Sequence, residues 1–340
     1  MPDKAALVVT SISAPNAVLK ALARGCREHD IQFIVIGDEA SPANFQLDGC
    51  RFYSLPEQRQ LEFKFAQLCP TRHYARKNIG YLLALRDRAK LIIETDDDNF
   101  PETSFWSPRR RRRFVTTARN LGWVNVYRYF THANIWPRGL PLDQIQTALP
   151  NFDALPQTDV DCPIQQGLAD QNPDVDAIYR LTLPLPQSFR KDRRMALGAN
   201  TWCPFNSQNT TWWREACTLL YLPGYCSFRM TDIWRSFIAQ RIAWANDWAV
   251  LFHEPTVWQE RNEHNLMRDF RDEVPGYLNN NAICKALAQL NIKSGTEYLG
   301  KNLRFCYEKL VSIDLVGSEE LDLVDAWLDD LAQILRPKDQ

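Results

Sequence analysis

The strongest constraint on this chain is a series of short, continuous apolar segments that alternate with segments of helical periodicity. Residues 6–12, 33–36 and 91–93 are rich in Val, Ile and Leu and contain almost no polar residues. Such strands are typical of a parallel sheet that is covered on both faces. Residues 17–26, 57–68 and 74–86 carry apolar side chains at helical spacing, and Ser13 is a candidate cap for the first of these helices. The sequence therefore predicts an α/β fold with a mostly parallel central sheet flanked by helices.

Three consecutive carboxylates, Asp96, Asp97 and Asp98, follow the third of these strands. Adjacent negative charges repel and are costly to desolvate, so this pattern favours a bound cation. Mg²⁺ or Mn²⁺ commonly joins a few carboxylates to substrate phosphates. An acidic turn is the alternative, since Asp is common in turns. Thr10 and Asp38 also follow predicted strands, and ligands of such sheets bind beyond the carboxyl ends of strands. We therefore predict one site where these residues meet.

Composition excludes several classes of protein. The formal net charge of -1 argues against nucleic-acid binding, which favours a basic surplus. The nine cysteines form no C-x-x-C pair, so a zinc ribbon or redox dithiol is not expected. The cysteines are scattered, as expected for reduced thiols. The sequence also shows no signal-peptide pattern and no apolar run long enough for a transmembrane segment. Together these features favour a cytoplasmic protein.

The middle of the chain has weaker patterns. Five arginines run from Arg109 to Arg113, which we interpret as a solvated loop. Attraction of an anionic acceptor, or peripheral contact with a membrane surface, is the alternative. Residues 122–130 are predicted to form a strand, residues 134–171 are predicted to form long loops, and residues 174–182 have a strand-like centre. The 11 Trp residues suit either platforms for sugar rings and bases or ordinary core packing.

The last part of the chain is predicted to be helical. Thr231 is a candidate N-cap for an amphipathic helix that runs to about Trp244. Residues 249–252 form the last predicted strand, and helical patterns cover residues 282–290, 298–311 and 319–335. We predict an α/β sheet domain over residues 1–265, which carries the predicted site, and a C-terminal helical subdomain over residues 266–340.

Seven segments occur together in a recognisable order over about residues 5 to 265. They are Val-Val-Thr-Ser-Ile at 8–12, Ile-Gly-Asp at 36–38, Arg-Lys-Asn-Ile-Gly-Tyr-Leu at 76–82, Glu-Thr-Asp-Asp-Asp-Asn at 94–99, Asp-Val-Asp-Ala-Ile-Tyr-Arg-Leu-Thr at 174–182, Ser-Gln-Asn-Thr at 207–210, and Asp-Ile-Trp-Arg with Ala-Gln-Arg at 232–241. In this order the segments resemble the STELLO-type glycosyltransferases. The resemblance implies a GT-A-like, Rossmann-related fold with an Asp-x-Asp metal motif. It does not carry over a Golgi location, because no N-terminal membrane anchor like that of the plant members is seen.

The resemblance implies that Asp96 and Asp98 bind the divalent cation, Mn²⁺ or Mg²⁺. Asp97 either ligates as well or bonds the ribose, and Thr10 and Asp38 are placed to meet the base and ribose. His264 is a candidate third ligand, although a hydrogen-bonded loop histidine is the simpler interpretation. The same alternative applies to a histidine that follows the last strand, His253.

Cationic and acceptor-side candidates complete the predicted site. Arg76 and Lys77 begin a helix, where N–H groups also favour phosphate, and they face either the donor diphosphate or solvent. Asp232 is the candidate general base, although the helix dipole alone would favour it there. Arg235 would hold an anionic group or pair with Asp232. Arg180 and Asn209 are the further candidates for substrate binding, the amide of Asn209 through sugar hydroxyls.

These observations predict a metal-dependent glycosyltransferase. It would move a sugar from a nucleotide-diphospho-sugar, with UDP-linked donors preferred, to a hydroxyl of a glycan or lipid-linked acceptor in surface glycan synthesis. A haloacid-dehalogenase-type Mg²⁺ phosphohydrolase is one alternative, although Asn99 and Phe100 replace the expected Gly-Thr. A non-catalytic nucleotide-sugar-binding protein is the other.

Overall fold

The computed structural model describes residues 4–260 and 265–336 and confirms the α/β class. A ten-stranded sheet begins with four parallel strands in the order β3-β2-β1-β4. Their bounds are β1 Ala5–Thr10, β2 Ile31–Ile36, β3 Arg51–Tyr53 and β4 Leu91–Thr95. Parallel pairing brings the carboxyl ends of these strands to one edge, where the acidic triplet begins.

Helices cover both faces of this parallel half, as continuous apolar strands require. They are α1 Ala17–Glu28, α2 Leu55–Arg59, α3 Lys64–Leu68 and α4 Lys77–Arg86. Along β1, Leu7 and Val9 pack into the core beneath α1, whereas Ala6 and Val8 pack into the core beneath α4. The buried strand therefore stabilises the fold from both sides.

The second half of the sheet is mixed rather than parallel. Its strands are β5 Asn99–Pro101, β6 Arg112–Ala118, β8 Gln157–Asp170, β9 Arg194–Leu197, β11 Asn209–Trp213 and β12 Trp248–Gln259, while β7 Gly122–Trp123 and β10 Thr201–Trp202 form a separate pair. From β4 the order continues β11-β8-β6-β9-β12-β5, with a further β8–β12 pairing. Strand β11 is antiparallel to β4 and β8, and it joins the two halves.

Three expectations for the middle of the chain are wrong. The predicted loops of residues 134–171 include the 14-residue strand β8, whose polar first half hides it from hydrophobic periodicity. The predicted strand within residues 174–182 is instead helix α6 Ala177–Thr182, capped by Asp176. The strand predicted over residues 122–130 is only β7, followed by the short helix α5 Tyr127–Phe130.

The arginine run is also not a uniformly solvated loop. Arg112 begins β6, and Arg111 pairs with Asp161 at 2.6 Å. Arg109 donates to the hydroxyl of Thr211 at 2.9 Å. Arg109 and Arg111 therefore have partners within the protein, so residues 109–113 do not form one unpaired basic patch.

Helix caps differ in detail from the sequence expectations. Asn16 caps α1, accepting from Leu19 N at 2.8 Å, where Ser13 was expected to be the cap. The helix expected over residues 57–68 is split into α2 and α3. Met230 is the N-cap of the helix that begins at Thr231.

Four longer helices fill the C-terminal part of the chain. They are α7 Thr231–Ala245, α8 Leu266–Ala288, α9 Leu299–Ser312 and α10 Glu320–Leu335. Trp327 on α10 makes ring contacts with Phe65 and Tyr221, so the core is continuous between α10 and the sheet half. The division of domains at residue 265 stays a prediction. No helix in the described ranges is long and apolar enough to cross a bilayer.

Candidate functional site

A cavity of about 450 Å³ lies beyond the carboxyl ends of β1, β2 and β4. Thr10 and Ile36 end the first two strands, and the acidic triplet follows the third. Seven residues predicted for the site line this cavity: Thr10, Asp38, Arg76, Asp96, Asp97, Asp98 and Asp232. The parallel half of the sheet brings Thr10, Asp38 and the triplet together, because its strands end at one edge. Arg76 reaches the cavity from the start of α4, and Asp232 from the helix that begins at Thr231.

Asp96 lies above a buried cation. Its Oδ1 accepts hydrogen bonds from the hydroxyl of Tyr74 at 2.6 Å and from Lys77 Nζ at 3.2 Å. Lys77 is fully buried and also donates to the carbonyl oxygen of Thr95 at 2.8 Å. Burial, followed by the charge of Asp96, raises the pKa of Tyr74 well above 10, so its hydroxyl stays a donor. One carboxylate oxygen of the triplet is thereby fixed.

The other two carboxylates of the triplet have separate partners. Asp97 Oδ2 accepts from the Ser11 hydroxyl at 2.5 Å, and burial is the main cause that raises the pKa of Asp97. Asp98 Oδ2 accepts from the amide of Gln259 at 2.9 Å, and its Oδ1 accepts from Asn99 at 3.2 Å. Asp97 is therefore tied to the loop after β1, whereas Asp98 is tied to β12.

The donor set is chemically suited to a hard divalent cation. Asp96 and Asp98 are partly exposed at the cavity, and Mg²⁺ is commonly held by one or two carboxylates plus substrate phosphates. Within residues 4–260 and 265–336, no group of three or more His, Cys, Asp or Glu forms a metal site by itself. His264 lies outside the described residues. A metal here would require oxygen ligands from substrate or water.

The hydroxyls of Tyr74 and Ser207, which lie 2.6 Å apart, link Asp96 to a second polar group on the cavity wall. This group is built around Arg138, which sequence reasoning missed. Its Nε and Nη2 each lie 2.8 Å from an oxygen of Asp174, and Nη2 lies 3.0 Å from Asp232 Oδ2. Asp232 also accepts from the backbone N and the hydroxyl of Ser207, both at 3.3 Å. Because all four side chains of this group are at least nine-tenths buried, the carboxylate of Asp232 has a defined orientation. Arg138 lies in an aperiodic segment and has no local signal.

Several predicted residues do not present their polar groups to the cavity. The guanidinium of Arg235 lies 2.8 Å from Glu94 and is fully buried, so it neither pairs with Asp232 nor faces substrate. Arg76 touches the cavity, but its guanidinium donates to Gln58 at 2.6 Å and to the carbonyl oxygen of Cys69 at 2.9 Å.

Asn209, Arg180 and His253 are not among the residues that line the cavity. Asn209 is buried in the sheet and donates to the carbonyl oxygen of Leu168 at 2.9 Å. Arg180 donates to the carbonyl oxygen of Pro173 at 3.0 Å. Burial is the largest cause that lowers the pKa of His253 to about 4.

Comparisons with known proteins agree with the sequence resemblance. A family model described as STELLO glycosyltransferases matches residues 229–336. "Probable glycosyltransferase STELLO2" of Arabidopsis thaliana is 28% identical over 96% of this chain. "Probable glycosyltransferase STELLO1" of the same plant is 29% identical over 74% of it.

The chain is therefore similar in sequence to the STELLO glycosyltransferases. It spans 44% of the length of the first relative and 35% of the second. A solved structure, the Mycobacterium tuberculosis glucosyl-3-phosphoglycerate synthase, covers 82% of the chain and is itself covered to 80%. Its TM-score is 0.39 and its sequence identity is 10%, so it carries no argument about this site.

The Arg-Lys-Asn-Ile-Gly-Tyr segment at residues 76–81 connects the sheet to the cavity. Beyond Arg76 and Lys77, Asn78 exchanges hydrogen bonds of 2.8 and 2.9 Å with the backbone of Leu222. Tyr81 donates to Glu94 on β4. Each polar residue of the segment therefore has a buried partner, and the segment fixes α4 beneath the acidic triplet.

Other cavity residues were missed because their roles depend on distant partners. They are Ser11, Tyr74, Arg138, Ser207 and Gln259. Ser207 lies in a quoted segment, and Tyr74 lies at the start of a predicted helix, but neither spacing indicates a bond to a carboxylate. Contacts between residues more than 80 positions apart, such as Ser11 with Asp97, have no local sequence pattern.

Proposed function

We propose that this chain is a metal-dependent glycosyltransferase that uses a nucleotide-diphospho-sugar, with UDP-linked sugars as the first donors to test. The observation that carries the proposal is the convergence of the acidic triplet, two further strand ends and Asp232 on one cavity. An acidic triplet suited to a cation, and an oriented carboxylate linked to it through Tyr74 and Ser207, suit a reaction in which donor and acceptor bind side by side in one cavity.

The charges of the cavity support metal dependence. Six carboxylates and four guanidinium groups line it: Asp38, Asp96, Asp97, Asp98, Asp174 and Asp232, and Arg72, Arg76, Arg138 and Arg229. The charged partners of Arg72, Arg138 and Arg229 are carboxylates of the protein itself. A diphosphate would therefore meet excess negative charge unless a cation entered with it.

Asp96 and Asp98 would hold that cation. When bound, a divalent ion neutralises the charge that develops on the leaving diphosphate. Lys77 and the Tyr74 hydroxyl position Asp96, while Gln259 positions Asp98. The protein thus orients two ligands before the donor binds, which lowers the reorganisation required during the reaction.

On the acceptor side, Asp232 is proposed to accept the proton of the attacking hydroxyl. Arg138 and Ser207 hold its carboxylate in one orientation at the cavity wall. A general base must lie within hydrogen-bond reach of the proton that it removes, and a fixed, buried carboxylate meets that requirement when the acceptor binds.

The family comparisons favour transfer over phosphate hydrolysis. Both relatives are named as probable glycosyltransferases, and the family model carries the same description. Their names state neither donor nor acceptor, so the UDP-linked donor and a role in surface glycan synthesis belong to the proposal.

A turnover assay tests the proposal. Release of nucleoside diphosphate from UDP-, GDP- and CDP-sugars would be measured with Mn²⁺, with and without a panel of glycan acceptors. We expect one donor to be consumed, and Asp232→Asn to abolish transfer while donor binding persists. Release of inorganic phosphate from a generic phosphate ester without donor consumption would instead support a phosphohydrolase.

A further inference from the structure

A second cavity, of about 570 Å³, adjoins the first at Gln259, which lines both. It lies at the edge of the sheet, where β5 pairs with the end of β12. Its other lining residues are Glu102, Asp170, Gln171, Asn172, Trp258 and Glu260. Gln259 thus links the second cavity to the acidic triplet, because its side chain also donates a hydrogen bond to Asp98.

Trp258 provides an exposed aromatic surface in this cavity. Its ring stacks on Phe100 with 4.4 Å between centroids and an interplanar angle of 11°. Trp258 nevertheless keeps 36% of its surface exposed, and it is the one aromatic side chain in the lining. Because stacking on Phe100 already holds the Trp258 ring in place, little side-chain entropy is lost when a ligand binds to it. Large, rigid aromatic rings are effective contact surfaces for ligands with an apolar face.

Gln259 has an acceptor oxygen to which no described residue donates. The residue is only 8% exposed, and its Nε2 donates to Asp98. Its Oε1 is buried and receives no hydrogen bond from the described part of the chain. A buried, unpaired acceptor is costly, so a ligand hydroxyl that donates to this oxygen would be favoured.

Among the described residues, the charged side chains that line the second cavity are acidic. Three carboxylates line it, on Glu102, Asp170 and Glu260. The nearby ammonium of Lys191 lies 2.6 Å from Glu102 and 3.8 Å from Asp170, so one cation is shared between two of them. This excess of carboxylates within the described residues disfavours phosphates and uronic acids, whereas carboxylate and amide groups hydrogen-bond well to neutral hydroxyls.

We infer that the second cavity is a subsite for a neutral saccharide, the acceptor, which stacks on Trp258 and donates a hydroxyl hydrogen bond to Gln259 Oε1. The inference rests on the proposed transferase function, since it assigns the acceptor of that reaction. It requires that the saccharide continue past Gln259 so that its terminal hydroxyl enters the first cavity.

Binding is tested without turnover. Neutral gluco-, manno-, xylo- and galacto-oligosaccharides of four to six units would be titrated against the whole chain by saturation-transfer NMR and calorimetry. Oligogalacturonates of the same length are the anionic comparison. Trp258→Ala removes the platform, Trp258→Phe retains an aromatic ring, and Phe114→Ala is the control, because Phe114 is 72% exposed on β6 and lines neither cavity.

We expect at least one neutral series to bind, Trp258→Ala to weaken it by about tenfold, and Trp258→Phe to restore most of the affinity. Phe114→Ala should bind as the parent does. No neutral oligosaccharide binding, equal binding by Trp258→Ala, or preferred binding of oligogalacturonate would overturn the inference.

Nucleotide-sugar binding is measured on the same variants to separate the two claims. Trp258→Ala is expected to bind the donor as the parent does, since Trp258 does not line the first cavity. Loss of saccharide binding with intact donor binding supports the subsite. Failure of the parent to bind any nucleotide-sugar would refute the proposed function, whatever the saccharides do.

Discussion

The ammonium of Lys77 lies 3.2 Å from Asp96 Oδ1, and no part of the Lys77 side chain is exposed. The pair joins the first turn of α4 to the residue after β4. Because Lys77 also donates to the carbonyl oxygens of Thr95 and Ser207, its charge is held by a cage of oxygens rather than offered to solvent. Lys77 thus contributes to the site through Asp96, and it is a positioning residue.

Replacing Lys77 by Met should destabilise the protein. The change removes one of the two donors to Asp96 Oδ1, leaving that of Tyr74, and it removes the ammonium bonds to two carbonyl oxygens. We expect a loss of about 2 kcal/mol in the free energy of unfolding. Urea denaturation measures it. Lys64→Met is the matched control, since that lysine makes an exposed pair with Asp329 and should cost little. Equal effects of the two substitutions would show that the Lys77 cage is energetically unimportant.

The buried pair of Arg235 and Glu94 gives a second prediction. Arg235→Met leaves a fully buried carboxylate without its charged partner and should cost about 3–5 kcal/mol. Adding Glu94→Gln removes the uncompensated charge and should recover much of that loss, as measured by chemical denaturation.

Nucleotide-sugar binding by the double variant tests the placement of Arg235. It should equal that of the parent, because Arg235 does not line the cavity. A double variant that regains stability but loses donor binding would show that Arg235 contacts substrate.

Glu320 predicts a dependence of stability on pH. Burial raises the pKa of this carboxyl from 4.5 to about 7, although Tyr221 and two backbone N–H groups donate to it. The folded state therefore favours the protonated form. Its stabilising contribution is full below pH 4.5 and is lost as pH rises through 7.

The measurement compares the parent with Glu320→Gln, which cannot titrate. Between pH 4.5 and pH 8 the unfolding free energy of the parent should fall by about 3 kcal/mol relative to the variant. A difference that is constant over this range, or that grows in favour of the parent, would contradict the assignment.

Close packing of α4 on the sheet explains why the Arg-Lys-Asn-Ile-Gly-Tyr segment has a glycine at position 80. A Cβ at this position would lie 2.4 Å from Val8 Cγ1 and 3.0 Å from Ile36 Cγ1, so α4 could not pack as closely on the sheet. Gly80→Ala should cost about 1–3 kcal/mol, as seen by thermal or urea unfolding.

The control for Gly80 is another helical glycine, Gly300. There the added Cβ would meet Leu328 Cδ2 at 3.1 Å, the end of a flexible side chain. Gly300→Ala should be neutral or stabilising, because alanine is the better helix former. If Gly80→Ala were equally well tolerated, the close packing would have no energetic role.

The parallel half of the fold could be predicted because its information is local. Each buried strand is a continuous apolar run, and the carboxyl ends of such strands meet by topology, so Thr10, Asp38 and the acidic triplet were placed together correctly. Strand β8 could not be predicted in this way. Its first residues are polar: Asp159 pairs with Arg112 of β6, and Asp161 pairs with Arg111, which precedes β6. Pairing with β6 thus stabilises a strand that hydrophobicity does not indicate.

The hydrogen-bond and ion-pair partners within the site also could not be predicted from the sequence. Arg235 follows Asp232 by one helical turn, so local spacing favoured a pair between them. In the fold, Arg235 instead pairs with Glu94. Asp232 pairs with Arg138, which is 94 residues away in the sequence. Charge pairing in a buried site is decided by which side chains share the same low-dielectric space, and sequence spacing does not specify that.

The most direct test of the account is calorimetric titration of UDP-, GDP- and CDP-sugars with Mn²⁺ present and with the metal removed by a chelator. The parent should bind at least one donor, binding should weaken by at least about tenfold without metal, and Asp96→Asn and Asp98→Asn should abolish the metal-dependent part. Asp153→Asn is the control, since Asp153 does not line the cavity. Absence of binding by every donor, or donor binding that is unchanged by metal removal and by both substitutions, would contradict the proposed metal–diphosphate site.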